Sequence, residues 1–230
     1  MNTDSTHMNR LTLRFADAGM ETAFAEEQAR KSLRPFRIAL IFAGALALVV
    51  WPAAIHMAPS VEEHMPTIVA LLFLTLGSCY TLTHTQVFLR WHQWTMLVLA
   101  CVMSIGVTFA VSHYPPQMLE ASGFFLMAIH LFSIYGLFRL RFPAAVASGW
   151  ISASMYIVML RALGLLPESS VFRHSEALLG ANLWGMLICY QMDLAIRRAF
   201  LAMRDVAVEH ERSERLLLNI LPAELAKELS

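Results

Sequence analysis

Apolar residues run through this chain in six blocks, each close to the roughly 20 residues that carry a helix across a bilayer's hydrocarbon core. The blocks cover 36–56, 66–88, 94–111, 121–138, 144–165 and 176–194, with short polar connections between them. This pattern predicts an all-α fold, a six-helix transmembrane bundle in which successive spans are antiparallel neighbours. On the fifth span Ala145, Gly149 and Ala153 recur four residues apart, and Ala181 and Gly185 do so on the sixth. Such rows of small side chains let helix backbones approach closely. Asn182 is placed to hydrogen-bond across a dimer or within the bundle.

The distribution of charge orients the bundle. With the N-terminus inside, the inner flanks hold Arg30, Lys31, Arg34, Arg37, Arg90, Arg139, Arg141, Arg197 and Arg198. The outer flanks hold only Arg161 and Arg173, among Glu62, Glu63, Glu120, Glu168 and Glu176. Basic residues favour the cytoplasmic side, so both termini of this multi-pass membrane chain are expected in the cytoplasm. Trp51, Trp91, Trp94 and Tyr114 fall near the interfaces, where amphipathic rings collect.

Composition agrees with lipid as the solvent: 57% of residues are hydrophobic and 15% charged, against about 25% charged in soluble domains. Zero formal net charge gives no indication of a nucleic-acid partner. Residues 1–27 lack the basic-then-apolar order of a cleavable signal peptide. Cys79, Cys101 and Cys189 lie inside apolar blocks with no CxxC spacing and read as packing residues. The segment 18–34 is helix-compatible, and it either lies on the inner membrane surface, packs on the exit helix, or is a solvated tail.

Beyond Leu194 no Pro or Gly interrupts the sixth helix until Pro222, so it should run on as a rod of about 40 Å at 1.5 Å per residue. A heptad reading puts Ile196, Met203, His210 and Leu217 at one seam position and Ala199, Val206, Ser213 and Ile220 at the other, the spacing of a two-stranded coiled coil. Ala199, Ser213 and His210 make a weak seam, suited to holding two registers of similar energy. The competing reading is a marginal coiled coil that needs its neighbours in order to dimerise. Asp193 can pair with Arg197 one turn on.

The run Glu214-Arg215-Leu216-Leu217-Leu218-Asn219-Ile220-Leu221-Pro222, followed by Ala223-Glu224-Leu225-Ala226, closely resembles the transducing helix before class III adenylyl/guanylyl cyclase catalytic domains. The resemblance spans roughly 197–230, and six spans with both termini inside look like the membrane anchor of such cyclases. Ala18-Gly19-Met20-Glu21-Thr22-Ala23-Phe24 is similar to the acidic and aromatic stretch before their first span. What this implies is an N-terminal cytoplasmic segment at 1–35, a sensory anchor at 36–194, and a signalling helix at 195–230 cut before its catalytic domain. The fragment would make no cyclic nucleotide itself. The full-length protein would be an adenylate cyclase, a phosphorus–oxygen lyase active as a homodimer joined through the sixth helix. Asp193, Met203, His210, Leu217, Asn219 and Pro222 would then carry the signal.

Nine histidines in a membrane chain suggest chemistry of their own. His84 and His130, on the second and fourth spans, could ligate haem b between two helices, and His56, His113 or His174 could hold a second haem nearer the outer face. The chain would then be an electron-transfer or redox-sensing bundle. Alternatively His56, His64, His113 and His174, with Glu62, Glu63 or Glu176, could bind a divalent metal. In the plainest reading the interfacial histidines snorkel, His92 marks the inner start of the third span, and His130 hydrogen-bonds a neighbour such as Ser133, Asn182 or Tyr135. A transporter is disfavoured by the scarcity of mid-membrane polar groups, and another signalling output by the Asn219–Pro222 motif.

Overall fold

The structure, a computed structural model, describes residues 8–57 and 62–220; within the helices, the side chains of 50, 51, 53, 54, 56, 57, 87, 89, 90 and 217–220 lie outside the described residues. Pro222 lies beyond them, as do the side chains of Trp51, His56, Arg90, Leu217 and Asn219. Six helices form in chain order: α1 (Ala18–Met57), α2 (Met65–Leu82), α3 (Gln86–Ser112), α4 (Pro116–Gly136), α5 (Phe142–Ala162) and α6 (Glu168–Ile220). Among the described residues there is no strand beyond an isolated bridge between Met8 and Phe15.

Helix ends follow local chemistry. Asp17 Oδ1 accepts from the backbone N–H of Gly19 at 2.7 Å and of Met20 at 3.3 Å, satisfying donors that open α1. α2, α4 and α5 each begin with a proline in the first turn, where its missing N–H costs nothing. α5 ends on Gly164 at φ +68°, and the Leu165 N–H returns to the Leu160 carbonyl at 3.0 Å.

The α2–α3 boundary differs from the sequence reading. The second block was expected to reach residue 88, but α2 stops at Leu82 and α3 starts at Gln86. The hydroxyls of Thr83 and Thr85 donate back to the carbonyls of Tyr80 at 2.7 Å and Leu82 at 2.8 Å. Such local bonds compete with helix continuation even where the flanking residues stay apolar. α1 itself runs unbroken from the N-terminal segment through Pro35 and Pro52.

α4 packs on α3, α5 and α6, while α1 and α2 flank α3. The core is closed by Met96, Leu119, Met127, Leu131, Ile134, Tyr156 and Leu160, all essentially without exposure. The small rows sit where expected. Tyr135 lies between Gly149 on α5 and Gly185 on α6, and a Cβ on either glycine would strike it. Its hydroxyl donates to Asn182 Oδ1 at 2.8 Å.

The outward faces are apolar, with Ile41, Phe42, Leu74, Phe125, Ile129, Ile151, Val158 and Trp184 exposed, while Ser104, Thr108, Ser148, Ser152 and His130 are buried. That inverts the soluble pattern, since hydrocarbon solvates apolar side chains and leaves polar groups to pair internally. α1 to α5 are each long and apolar enough to cross a membrane. α6 packs against α4 and α5 and carries Asn182, Gln191 and Asp193 through its apolar part.

Candidate functional site

One end of the bundle gathers the N-terminal segment, the α2–α3 turn, the α4–α5 connection and α6 as it leaves the bundle. The N-terminal segment folds locally first. Asn9 Oδ1 accepts from the N–H groups of Leu11 and Thr12, Leu13 turns with φ +58°, and Phe15 returns toward Met8. This brings Phe15 and Phe24 against Phe200 of α6, with ring centroids 5.3–6.0 Å apart. The segment packs on the exit helix, which selects among the three expectations for 18–34.

Arg197 lies inside that aromatic cluster with no exposed surface. Its guanidinium stands 4.4 Å from the Phe24 ring centre and 5.2 Å from that of Phe15, close enough for cation–π attraction. Nη1 and Nη2 donate to Glu21 Oε2 and Oε1 at 2.8 and 3.3 Å, and Nε donates to Asp193 Oδ1 at 3.0 Å. The Asp193–Arg197 spacing thus forms its pair, and Glu21 adds a bidentate one from the other end of the chain.

The same carboxylates hold further elements. Glu21 Oε2 accepts from the Phe15 N–H at 3.1 Å, and Arg141 Nη1 approaches Glu21 Oε1 at 3.5 Å. Asp193 Oδ2 accepts from the Phe142 N–H at 3.3 Å, which satisfies a donor at the start of α5. Gln93 of α3 accepts from the Arg141 N–H at 2.9 Å, beside Arg139 in its left-handed conformation at φ +49°. Arg37 ties α1 to the end of α2 through Thr83, Nε to the hydroxyl at 2.8 Å and Nη2 to the carbonyl at 2.7 Å.

Burial opposes ionisation of Glu21. The Arg197 hydrogen bond, the Phe15 N–H and the charges of Arg197 and Arg141 outweigh it and hold the carboxyl below its ordinary value. Arg141 is pushed down, chiefly by burial.

Next to this junction is a cleft of about 380 Å³ between the first turns of α1, the start of α3, the α4–α5 connection and α6. Trp91, His92, Trp94, Arg139, Arg141 and Asp193 contribute to its walls.

The histidines separate into distinct settings. His130 is buried between α3 and α5, with Nε2 2.8 Å from Ser104 Oγ and 3.2 Å from the Ala100 carbonyl; Ser104 in turn contacts Ser152 at 2.7 Å. Its partners are therefore on α3, not Ser133, Asn182 or Tyr135, because Tyr135 and Asn182 bond each other. His84 sits exposed in the α2–α3 turn beside Tyr80, not within a span. The structure does not bring it to His130, since α2 ends too early.

At the other end, the His64 and His113 rings meet at a tilt of 55° with centroids 4.2 Å apart, while His113 Nδ1 is engaged by the Phe109 carbonyl at 2.8 Å. His174 lies apart from them, between Tyr156 Oη at 3.2 Å and the Glu120 carbonyl at 3.4 Å. Glu62 and Glu63 are exposed. Among the described residues no three His, Cys, Asp or Glu side chains gather into a metal-binding group.

Met203 and His210 are exposed on α6. The Glu21–Arg197 link was not legible in the sequence, although Glu21 and Phe24 both fall in the segment singled out before the first span. No protein-family model matches the chain, and no solved structure matches it.

Proposed function

We propose that this chain is the membrane anchor and transducing helix of a bacterial class III nucleotidyl cyclase. It sits in the inner membrane with both termini cytoplasmic and α6 as a sixth span. The observation that carries this reading is α6 itself, one 53-residue helix from Glu168 to Ile220. It begins against the bundle, passes through the Glu21–Asp193–Arg197 junction, and continues as an exposed heptad stretch into the leucine-rich motif. A helix unbroken over that length transmits a rotation or shift applied at the bundle to whatever follows it.

Catalysis belongs in this reading to a domain after Ser230, working as a dimer across two α6 helices. The chain's own part is to hold two such domains together and bias their geometry. The junction supplies a second hold on α6, because displacing the helix also displaces the N-terminal segment bound to Arg197.

The test is direct. The reading frame beyond Ser230 should encode a class III catalytic domain, and membranes from cells expressing the whole gene should convert ATP or GTP to the cyclic nucleotide. An output domain of another kind, or no cyclic product, would overturn the proposal.

A further inference from the structure

We propose that the cleft beside the junction is a binding site for a phospholipid headgroup that pairs an anionic phosphate with a hydroxyl or ammonium donor.

The donor requirement comes from His92. This residue is 5% exposed and lines the cleft, and its Nδ1 is buried with no hydrogen-bond partner among the described residues. The opposite ring nitrogen, Nε2, lies 3.4 Å from Ser32 Oγ, while the Ser32 hydroxyl donates to the Ala29 carbonyl at 2.8 Å. With that hydrogen committed, Ser32 accepts from Nε2–H, and Nδ1 is a bare lone pair. A buried acceptor without a donor is costly, and a headgroup O–H or N–H that enters along the His92 wall of the cleft would relieve that cost.

The anion requirement comes from the arginines. Around the cleft Arg197 and Arg141 are engaged by Glu21 and Asp193. Arg139 also lines the cleft, and its side chain makes no ion pair among the described residues. Gln93 and the turn at φ +49° fix its backbone. One unmatched guanidinium and one bare acceptor on residues lining the same cleft suit a ligand that carries both a phosphate and a donor.

The mouth indicates that this ligand is a lipid. Trp91 and Trp94 line the cleft and are 51% and 63% exposed, at the start of the apolar stretch Trp91–Ser112. Tryptophans at such a position sit at headgroup depth, with acyl chains beside the helix below them. Basic pockets between membrane helices take anionic headgroups in this way. The volume falls in the range of small-ligand sites, about 300–1,000 Å³.

Phosphatidylcholine provides the discriminating probe, since it has the phosphate but no N–H or O–H beyond it. The full chain would be placed in nanodiscs of phosphatidylcholine doped with phosphatidylglycerol or phosphatidylethanolamine, and the lipid that stays bound after detergent extraction counted by native mass spectrometry. Phosphatidylglycerol or phosphatidylethanolamine should be enriched about tenfold over its share of the disc. Arg139→Gln should lower that enrichment several-fold. Ala25→Trp, which fills the cleft from α1, should abolish it while leaving the helical content unchanged.

Retention of all three lipids in proportion to the disc would overturn the proposal, as would enrichment unaffected by both substitutions. Glycerol 3-phosphate in detergent serves as the soluble arm. If it binds the lipid-free protein as tightly as the lipid does, the site takes a soluble phosphate and the membrane source is wrong.

Discussion

Arg197 Nη1 donates to Glu21 Oε2 at 2.8 Å across 176 residues of chain, inside a box of three phenylalanines. A buried guanidinium is stable there because two carboxylates and two aromatic faces replace its water. Removing it strands those carboxylates. Arg197→Met should therefore cost about 3 kcal/mol or more. The double variant Glu21→Leu, Arg197→Met should recover part of that loss, because Glu21 is no longer buried without its partner while Asp193 still loses Arg197. Thermal unfolding of the four corners of this cycle in detergent measures the coupling. Additive losses would show that the two side chains do not depend on each other.

The same pair sets a pH window. The Glu21 carboxyl is held below the ordinary value of 4.5 when folded. Its contribution is fully present above 4.5 and disappears as pH falls through the lower folded value. The N-terminal segment should thus loosen from α6 in acid and remain docked near neutrality. Hydrogen exchange at the Phe15 amide, corrected for its intrinsic pH dependence, reports the change. Glu21→Gln should show the loosened state at neutral pH and little further response to acid.

How far sequence reaches can be seen by comparing Tyr135 with Arg197. Periodic apolar blocks located every helix, and four-residue spacing marked Gly149 and Gly185 as contact points, because both signals are local and repeat along the chain. The Arg197–Glu21 pairing has no such signal. It depends on where two distant segments are delivered by the fold, and a lone glutamate in an amphipathic stretch looks like any solvated one. The same limit applies to His84. Hydropathy ran the second block past Thr83 and Thr85, whose hydroxyls end α2, and so placed the histidine inside a span that it does not enter.

Tyr135 offers a test of packing. With its ring against Gly185 and its hydroxyl against Gly149, Gly185→Ala and Gly149→Ala should each cost about 1–3 kcal/mol by forcing the ring to move. Tyr135→Phe keeps the volume but leaves Asn182 Oδ1 without its donor, which should cost about 1–3 kcal/mol. Joining Tyr135→Leu to Gly185→Ala should cost less than the sum of the two single losses, because the shorter side chain leaves room for the new methyl. Melting temperatures decide between steric and polar control of this contact.

His130 bears on the haem alternative. Its Nε2 is engaged by Ser104 and the Ala100 carbonyl, and His84 stands exposed in another helix's turn. Protein purified from haem-replete cells is therefore expected to show no Soret band from a His84–His130 pair. A band that disappears in both His84→Ala and His130→Ala would reverse that expectation.

The proposed dimer seam meets a constraint at its start. Ile196 packs with Phe15, Phe24 and Phe200, and Ala199 and Met203 border a cleft shared with Phe24 and Lys31 of α1. A partner helix cannot use Ile196 while the N-terminal segment is docked, whereas Ala199 and Met203 keep exposed surface. Val206, one turn further, is 70% exposed, and Ser213 is exposed as well. Val206→Cys and Ser213→Cys should therefore form intersubunit disulfides in oxidised membranes, whereas Ile196→Cys should not. Adding Arg197→Ala, which releases the segment, should extend cross-linking back to Ile196→Cys. If Val206→Cys stays monomeric in the full-length protein, α6 is not the dimer axis; if Ile196→Cys cross-links readily in the unaltered background, the docked segment does not guard the seam.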